Sequence, residues 1–161
     1  MGAWIPDWSS LREKLAAERT AGRKVVFTNG VFDLLHAGHV RSLQGARSLG
    51  DVLVVGLNDD ASVRRLKGPK RPIVPLAQRA EVLAALSAVG YVTAFSEDTP
   101  AMLIEAVEPD VLAKGADYAG KEVVGADFVT KRGGRVELIP MVAGVSTTDL
   151  VSEILTRYRG D

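Results

Sequence analysis

Residues 30 to 39 read Gly-Val-Phe-Asp-Leu-Leu-His-Ala-Gly-His and contain both of the chain's histidines, three positions apart, directly after the apolar run Val25-Val26-Phe27. With a helix beginning near Gly38, His36 and His39 fall at its amino end, where unpaired N–H groups and a macrodipole of about half a positive charge attract anions. Two imidazoles on one turn can aim donors at the same anion, and phosphate is the natural guest. Gly30 and Gly38 let the backbone approach a ligand with no Cβ in the way. Two other readings stay open on these ten residues alone. A histidine pair at i and i+3 also suits a metal, and either histidine could be a helix cap with no chemistry. The chain has no cysteine and no third histidine, so zinc would need carboxylates at positions that nothing singles out.

Other segments offer similar chemistry with an ordinary alternative beside it. Ser146, Thr147 and Thr148 bring hydroxyls and N–H groups to a second helix start, suited to phosphates or simply to capping. Residues 64 to 72, Arg-Arg-Leu-Lys-Gly-Pro-Lys-Arg-Pro, place five basic side chains beside a glycine and two prolines, a pattern common in solvated surface loops. Arg79 reaches a phosphate or pairs with a glutamate of its own helix. Lys114-Gly115-Ala116-Asp117-Tyr118 follows an apolar run and is also common turn material. Asp33 either caps the following turn or touches a ligand.

These residues need a frame to hold them. Valine-rich runs near 24–29, 52–58, 90–95, 110–114 and 135–140 alternate with stretches of helical period near 8–21, 38–49, 75–88, 100–108, 125–133 and 147–158. That order predicts βα units and an α/β, Rossmann-like, open parallel five-stranded sheet with helices on both faces. The run Val52-Leu53-Val54-Val55-Gly56-Leu57 lacks polar alternation, as a strand covered on both faces should. Pro75 and Pro100 stand where first-turn prolines belong, with Thr99 as a cap. Segments 60–74 and 115–124 carry no clear element. Both follow strands at their carboxyl ends, as does the histidine segment, so three loops converge on the rim where open parallel sheets bind ligands.

The totals set limits. A chain of 161 residues, 47% of them apolar, fits one domain over 1–161 with a real core, residues 1–22 forming an N-terminal helical extension. Twenty basic and twenty acidic side chains cancel, which leaves no global field to attract nucleic acid or an anionic membrane. Zero cysteines remove thiol catalysis and disulfides and suit a reducing compartment, so the expected location is cytoplasmic. No apolar run approaches the roughly 20 residues that span a bilayer, and no membrane partner is expected.

Residues 30–39 match the signature G-x-F-D-x-x-H-x-G-H of the nucleotidyltransferase superfamily, which the chain resembles over roughly 24–157. Residues 144–150, Gly-Val-Ser-Thr-Thr-Asp-Leu, resemble the superfamily's late Ser-Thr-Thr motif. Segments 62–79 and 111–118 resemble the branch that adenylylates heptose 1-phosphate. The resemblance implies attack by a sugar phosphate oxygen on the α-phosphorus of ATP with departure of pyrophosphate. The nucleophile arrives ionised, so no catalytic base is required; alignment of two polyanions and neutralisation of charge are.

Carried over residue by residue, the resemblance gives His36 and His39 to the phosphates and makes Lys67 a mobile catalytic cation. Thr28, Asn29, Gly30, Val31, Phe32 and Gly38 line the triphosphate. Lys114, Gly115 and Asp117 line the base pocket, where backbone groups read the adenine edge, and Ser146, Thr147 and Thr148 take the β and γ phosphates. Asp33, Asn58, Asp59 and Arg79 fall to the sugar phosphate side. Cytidylyltransferases for glycerol phosphate tend to carry an arginine in the segment before Ser-Thr-Thr; here it reads Met141-Val142-Ala143-Gly144-Val145, which favours ATP over CTP. Magnesium is expected to travel with ATP, without a dedicated protein site. A homodimer is expected from relatives, and a separate sugar kinase is expected to supply the acceptor.

Overall fold

Val52–Asn58 is buried at all seven positions. This strand, β3, lies inside a six-stranded, all-parallel sheet with β1 at Ala3–Trp4, β2 at Val25–Gly30, β4 at Tyr91–Phe95, β5 at Val111–Gly115 and β6 at Arg135–Ile139. The spatial order is β1-β4-β3-β2-β5-β6. The computed structural model describes residues 1–160. The order reverses between β2 and β5, which is the switch point where such sheets open a crevice at their carboxyl edge.

The described residues form seven α-helices, α1 Trp8–Thr20, α2 Ala37–Arg47, α3 Asp60–Lys67, α4 Leu76–Ala84, α5 Ala101–Val107, α6 Ala126–Lys131 and α7 Thr147–Tyr158; α7 buries none of its residues. Strand alternation divides the core in two. On one face Val26, Leu53, Val55 and Leu57 pack with Leu43 and Ala46 of α2 and Leu83 of α4. On the other, Val25, Phe27, Val54 and Leu112 pack with Leu11 and Leu15 of α1, Leu103 and Ile104 of α5 and Val129 of α6. No helix among the described residues is long and apolar enough to cross a membrane.

All five expected strands form, but the sheet has six. The N–H groups of Ala3 and Ile5 donate to the Gly90 and Val92 carbonyls, making β1 an edge strand beside β4. Residues 1–22, expected as a helical extension, therefore complete the sheet edge and bury Leu11 and Leu15. Two residues of strand carry no readable period. The second departure is α3, inside a stretch expected to lack an element. It is only eight residues long, is rich in charged residues and buries only Ser62 and Val63; the Asp59 carboxylate caps it by accepting from the Ser62 N–H at 2.8 Å.

Candidate active site

His36 is the N-cap of α2, so the helix starts one residue before the expected point. Its Nδ1 accepts from the His39 N–H at 3.4 Å, which leaves Nε2 as the ring nitrogen available to a ligand. The two imidazoles stack at 3.8 Å between centroids. Gly38 makes the stack possible: a Cβ there would lie 2.9 Å from the His36 ring. Phe32 adopts φ +49°, and its ring meets that of His39 at 5.2 Å. Burial, with the neighbouring His36 charge second, lowers the His39 pKa to about 4, so the ring is neutral at physiological pH. Its Nδ1 is buried and has no partner among the described residues, leaving Nε2 to meet a ligand. The His36 side chain thus caps the first turn of α2, whose leading N–H groups face the rim, and the His39 ring stacks on it.

The second motif is tied to the first. Thr147, at the start of α7, donates its hydroxyl to the Leu34 carbonyl at 3.1 Å. Ser146 caps the same helix by accepting from the Asp149 N–H at 3.0 Å. The Thr147 proton is therefore committed within the protein, while Ser146, which only accepts, keeps its O–H to donate and Thr148 is exposed. What α7 offers a phosphate is its first-turn N–H groups and the Ser146 and Thr148 hydroxyls.

Lys114 and Asn29 meet across the switch point, Nζ donating to Oδ1 at 2.6 Å. They stand two residues beyond the paired Phe27 and Leu112, so alternation sets both on the sheet face opposite α2. Burial lowers the Lys114 pKa to about 8, with the Asp117 charge opposing, and Nζ lies 5.2 Å from the Tyr118 ring centroid. The crevice thus has histidines on one side and a buried cation with a neutral partner on the other. Sequence reasoning gave this segment backbone groups to read a base and missed its side chain; strand alternation from Phe27 and Leu112 was the available signal. Gly115 has no room for a Cβ, which would meet the Asp117 carboxylate at 2.6 Å and the Met141 sulfur at 2.8 Å. Thr28 precedes Asn29 in β2, and Gly30 and Val31 carry the chain over the edge.

Three residues expected on the sugar phosphate side have side chains bonded within the protein. The Asp33 side chain is wholly buried and accepts from the N–H groups of Ile73 and Val74 and from Arg71 Nε at 2.6 Å. Burial pushes its pKa up, but those N–H groups and Arg71 outweigh it and hold the carboxyl below its ordinary value. It caps no following turn; it clamps residues 71–74. Arg79 pairs with no glutamate of its own helix. Its guanidinium is wholly buried and donates to the carbonyls of Val31, Asn58 and Val74 and to Asp60 Oδ1. Asn58 is buried with its amide on Ser62 Oγ at 3.1 Å. Asp59 keeps one carboxylate oxygen free of the α3 cap and lines a cavity at the edge.

Lys67 ends α3, exposed and without a hydrogen bond among the described residues, followed by Gly68 at φ +97°. The structure does not bring it against the histidines. Among the described residues no three His, Cys, Asp or Glu side chains gather as a metal cage.

A parallel sheet split at β2, with a histidine-capped helix at the split and a second helix start tied to it, defines an α/β nucleotide-binding class. The chain belongs to the cytidylyltransferase-like family, whose model matches residues 27–153. It is 60% identical over 154 residues to the bifunctional protein HldE of Trichlorobacter lovleyi, covering 96% of this chain and 31% of that one. The protein of the same name from Halorhodospira halophila is 56% identical over 156 residues, 97% of this chain and 33% of its own. The chain thus spans about a third of the length of these curated relatives. A crystal structure of the lipopolysaccharide core biosynthesis protein from Thermoplasma volcanium superposes with a TM-score of 0.62 at 30% identity, over 75% of this chain and 98% of that one.

Proposed function

We propose that this chain is an adenylyltransferase that moves AMP from ATP to D-glycero-D-manno-heptose 1-phosphate, releasing pyrophosphate and ADP-heptose. The observation that carries the reading is the His36–His39 stack on the first turn of α2, at the switch point and tied through Leu34 to the Ser-Thr-Thr helix. Support for the acceptor comes from the resemblance of segments 62–79 and 111–118 and from the identity to the HldE proteins.

The sugar phosphate oxygen attacks the α-phosphorus as the bond to pyrophosphate breaks. His36 and His39 donate from Nε2 to phosphate oxygens, the first-turn N–H groups of α2 and α7 supply fixed dipoles, and Lys67 closes over the leaving group. Each well-aimed donor contributes roughly 3 to 4 kcal/mol at the transition state in comparable oxyanion sites. Lys114 and the 115–117 segment take the nucleotide on the β5 side. ATP enters as its magnesium salt, the metal held by phosphate oxygens as part of the substrate. We place the enzyme in the cytoplasm as a homodimer, with a sugar kinase supplying the acceptor.

Incubating the protein with ATP, Mg²⁺ and the heptose 1-phosphate should release pyrophosphate and give ADP-heptose by mass spectrometry. CTP and glycerol 3-phosphate serve as the competing pair. Product only from that pair, or binding of ATP with no product from any acceptor, overturns the proposal.

A further inference from the structure

The nucleotide motifs sit on β2, α2, β5 and α7, leaving the β3–β4 side of the rim without an occupant. We propose that the cavity there, about 470 Å³ and lined by Pro6, Asp7, Trp8, Asp59, Phe95 and Glu97 among others, seats the sugar ring and hydroxyls of the acceptor. The inference rests on the adenylyl-transfer reading for the identity of the ligand, and on the cavity for its place.

Position supports it. Neighbouring strands lie about 4.8 Å apart, so the ends of β3 and β4 stand roughly 5 and 10 Å along the rim from the end of β2. A sugar seated there is one or two strand spacings from the histidine loop, on the side away from Lys114. In an in-line displacement the acceptor oxygen enters opposite the departing pyrophosphate, so donor and acceptor need separate seats on either side of the α-phosphorus. The two are also joined mechanically: Asp59 follows Asn58, whose carbonyl shares the Arg79 guanidinium with Val31 of the histidine loop.

Chemistry supports it as well. Trp8, partly exposed at the cavity wall, offers apolar ring surface for sugar C–H groups, with the buried Phe95 behind the wall. The indole N–H is already spent on the Ala94 carbonyl at 2.9 Å, so the ring is fixed and only its surface is left for a ligand. Asp7, Asp59 and Glu97 each use one oxygen within the protein, on Ser10, Ser62 and the Ser96 N–H respectively, and each has a second oxygen to accept from a hydroxyl. No lysine or arginine lines the cavity. Three carboxylates repel a phosphate and accept from neutral hydroxyls, which turns the acceptor with its phosphate toward the cationic part of the rim. The same reasoning gives Trp8, which lies outside the segment that the family model matches, a part in choosing the substrate.

Two measurements test the seat. In the ¹⁵N spectrum of the whole chain, the indole signal of Trp8 should shift on titration with the free, unphosphorylated heptose, and that of Trp4 should not. ATP alone should leave the Trp8 signal in place; a Trp8 shift driven by ATP instead of the sugar overturns the assignment. In kinetics, Glu97→Gln, Asp59→Asn and Trp8→Phe should each raise KM for the sugar phosphate by about tenfold with KM for ATP unchanged. Glu97→Gln keeps the test valid where Trp8→Phe weakens the fold. Turnover of the sugar phosphate with KM unmoved in all three overturns the seat alone. A Trp8 response to free sugar in a protein that adenylylates no sugar phosphate supports the seat and overturns the reaction.

Discussion

Asp33 and Arg71, 38 residues apart, form an ion pair of 2.6 Å in which the carboxylate is wholly buried and the guanidinium nearly so. With the N–H groups of Ile73 and Val74 on the same carboxylate, the aspartate of the histidine motif fixes the far end of the basic loop that begins at Lys67. The motif's acidic residue acts on the loop, and through it on where Lys67 can swing.

Asp33→Ala should therefore lower both stability and turnover. It strands two N–H donors and a largely buried guanidinium, a loss of about 2 to 4 kcal/mol by denaturant unfolding. Asp33→Asn keeps the volume but presents an amide to three donors and should recover little. A variant as stable and as fast as the parent would detach the loop from the motif.

His36→Ala and His39→Ala should each cut kcat by about tenfold to a thousandfold, with the circular dichroism spectrum preserved. His36→Ala also removes the α2 cap, costing about 1 kcal/mol. Steady-state rates beside thermal melts separate the two contributions. An unchanged rate in both variants would return the pair to structure.

The acid side of the stability profile should carry the mark of His39. Its folded pKa of about 4 lies below the unfolded 6.5, so between these values the unfolded chain binds more protons and stability rises with pH. The contribution is complete above pH 6.5 and is lost as pH falls toward 4; allowing for solvent screening it is on the order of 1 kcal/mol. Denaturant midpoints from pH 4 to 7 should show a slope that His39→Gln flattens. A triphosphate favours the protonated ring, so ATP binding near pH 5.5 should take up protons, read by calorimetry in two buffers of different ionisation enthalpy.

Lys114→Met is expected to separate stability from binding. A buried cation whose one hydrogen bond goes to neutral Asn29 gives little to the empty fold, and removing it should shift stability by about 1 kcal/mol or less in either direction. ATP affinity should fall by about tenfold or more, since the anion loses its deepest charge. Isothermal titration beside thermal melts reads both. The parent's stability should also rise with pH between about 8 and 10.5, where the unfolded lysine alone stays protonated, and the variant's should not.

How far the sequence reaches can be judged from particular residues. Strands β2 to β5 were legible because a parallel strand covered on both faces is written as a largely apolar run, the edge strand β6 from Val136, Leu138 and Ile139, and the histidine loop because its glycines and histidines stand ten residues apart at most. The edge strand at Ala3–Trp4 pairs through backbone groups, which any side chain permits. Asp33, Arg79 and Lys114 are read poorly for one shared reason: their partners lie far along the chain, at Arg71, at Val31 and Asn58, and at Asn29. Asp33 and Arg79 read as ligand contacts until the fold shows that protein atoms have already taken their hydrogen bonds, whereas Lys114 keeps donors to spare beyond Asn29.

The bond from Thr147 to the Leu34 carbonyl spans 113 positions. Closing so long a span costs chain entropy, and α7 buries none of its residues to offset it. That end of the rim is then weakly held, and the substrate itself becomes the fastener: occupancy by nucleotide should slow hydrogen exchange in α7, the segment furthest along the chain, more than in any strand of the sheet.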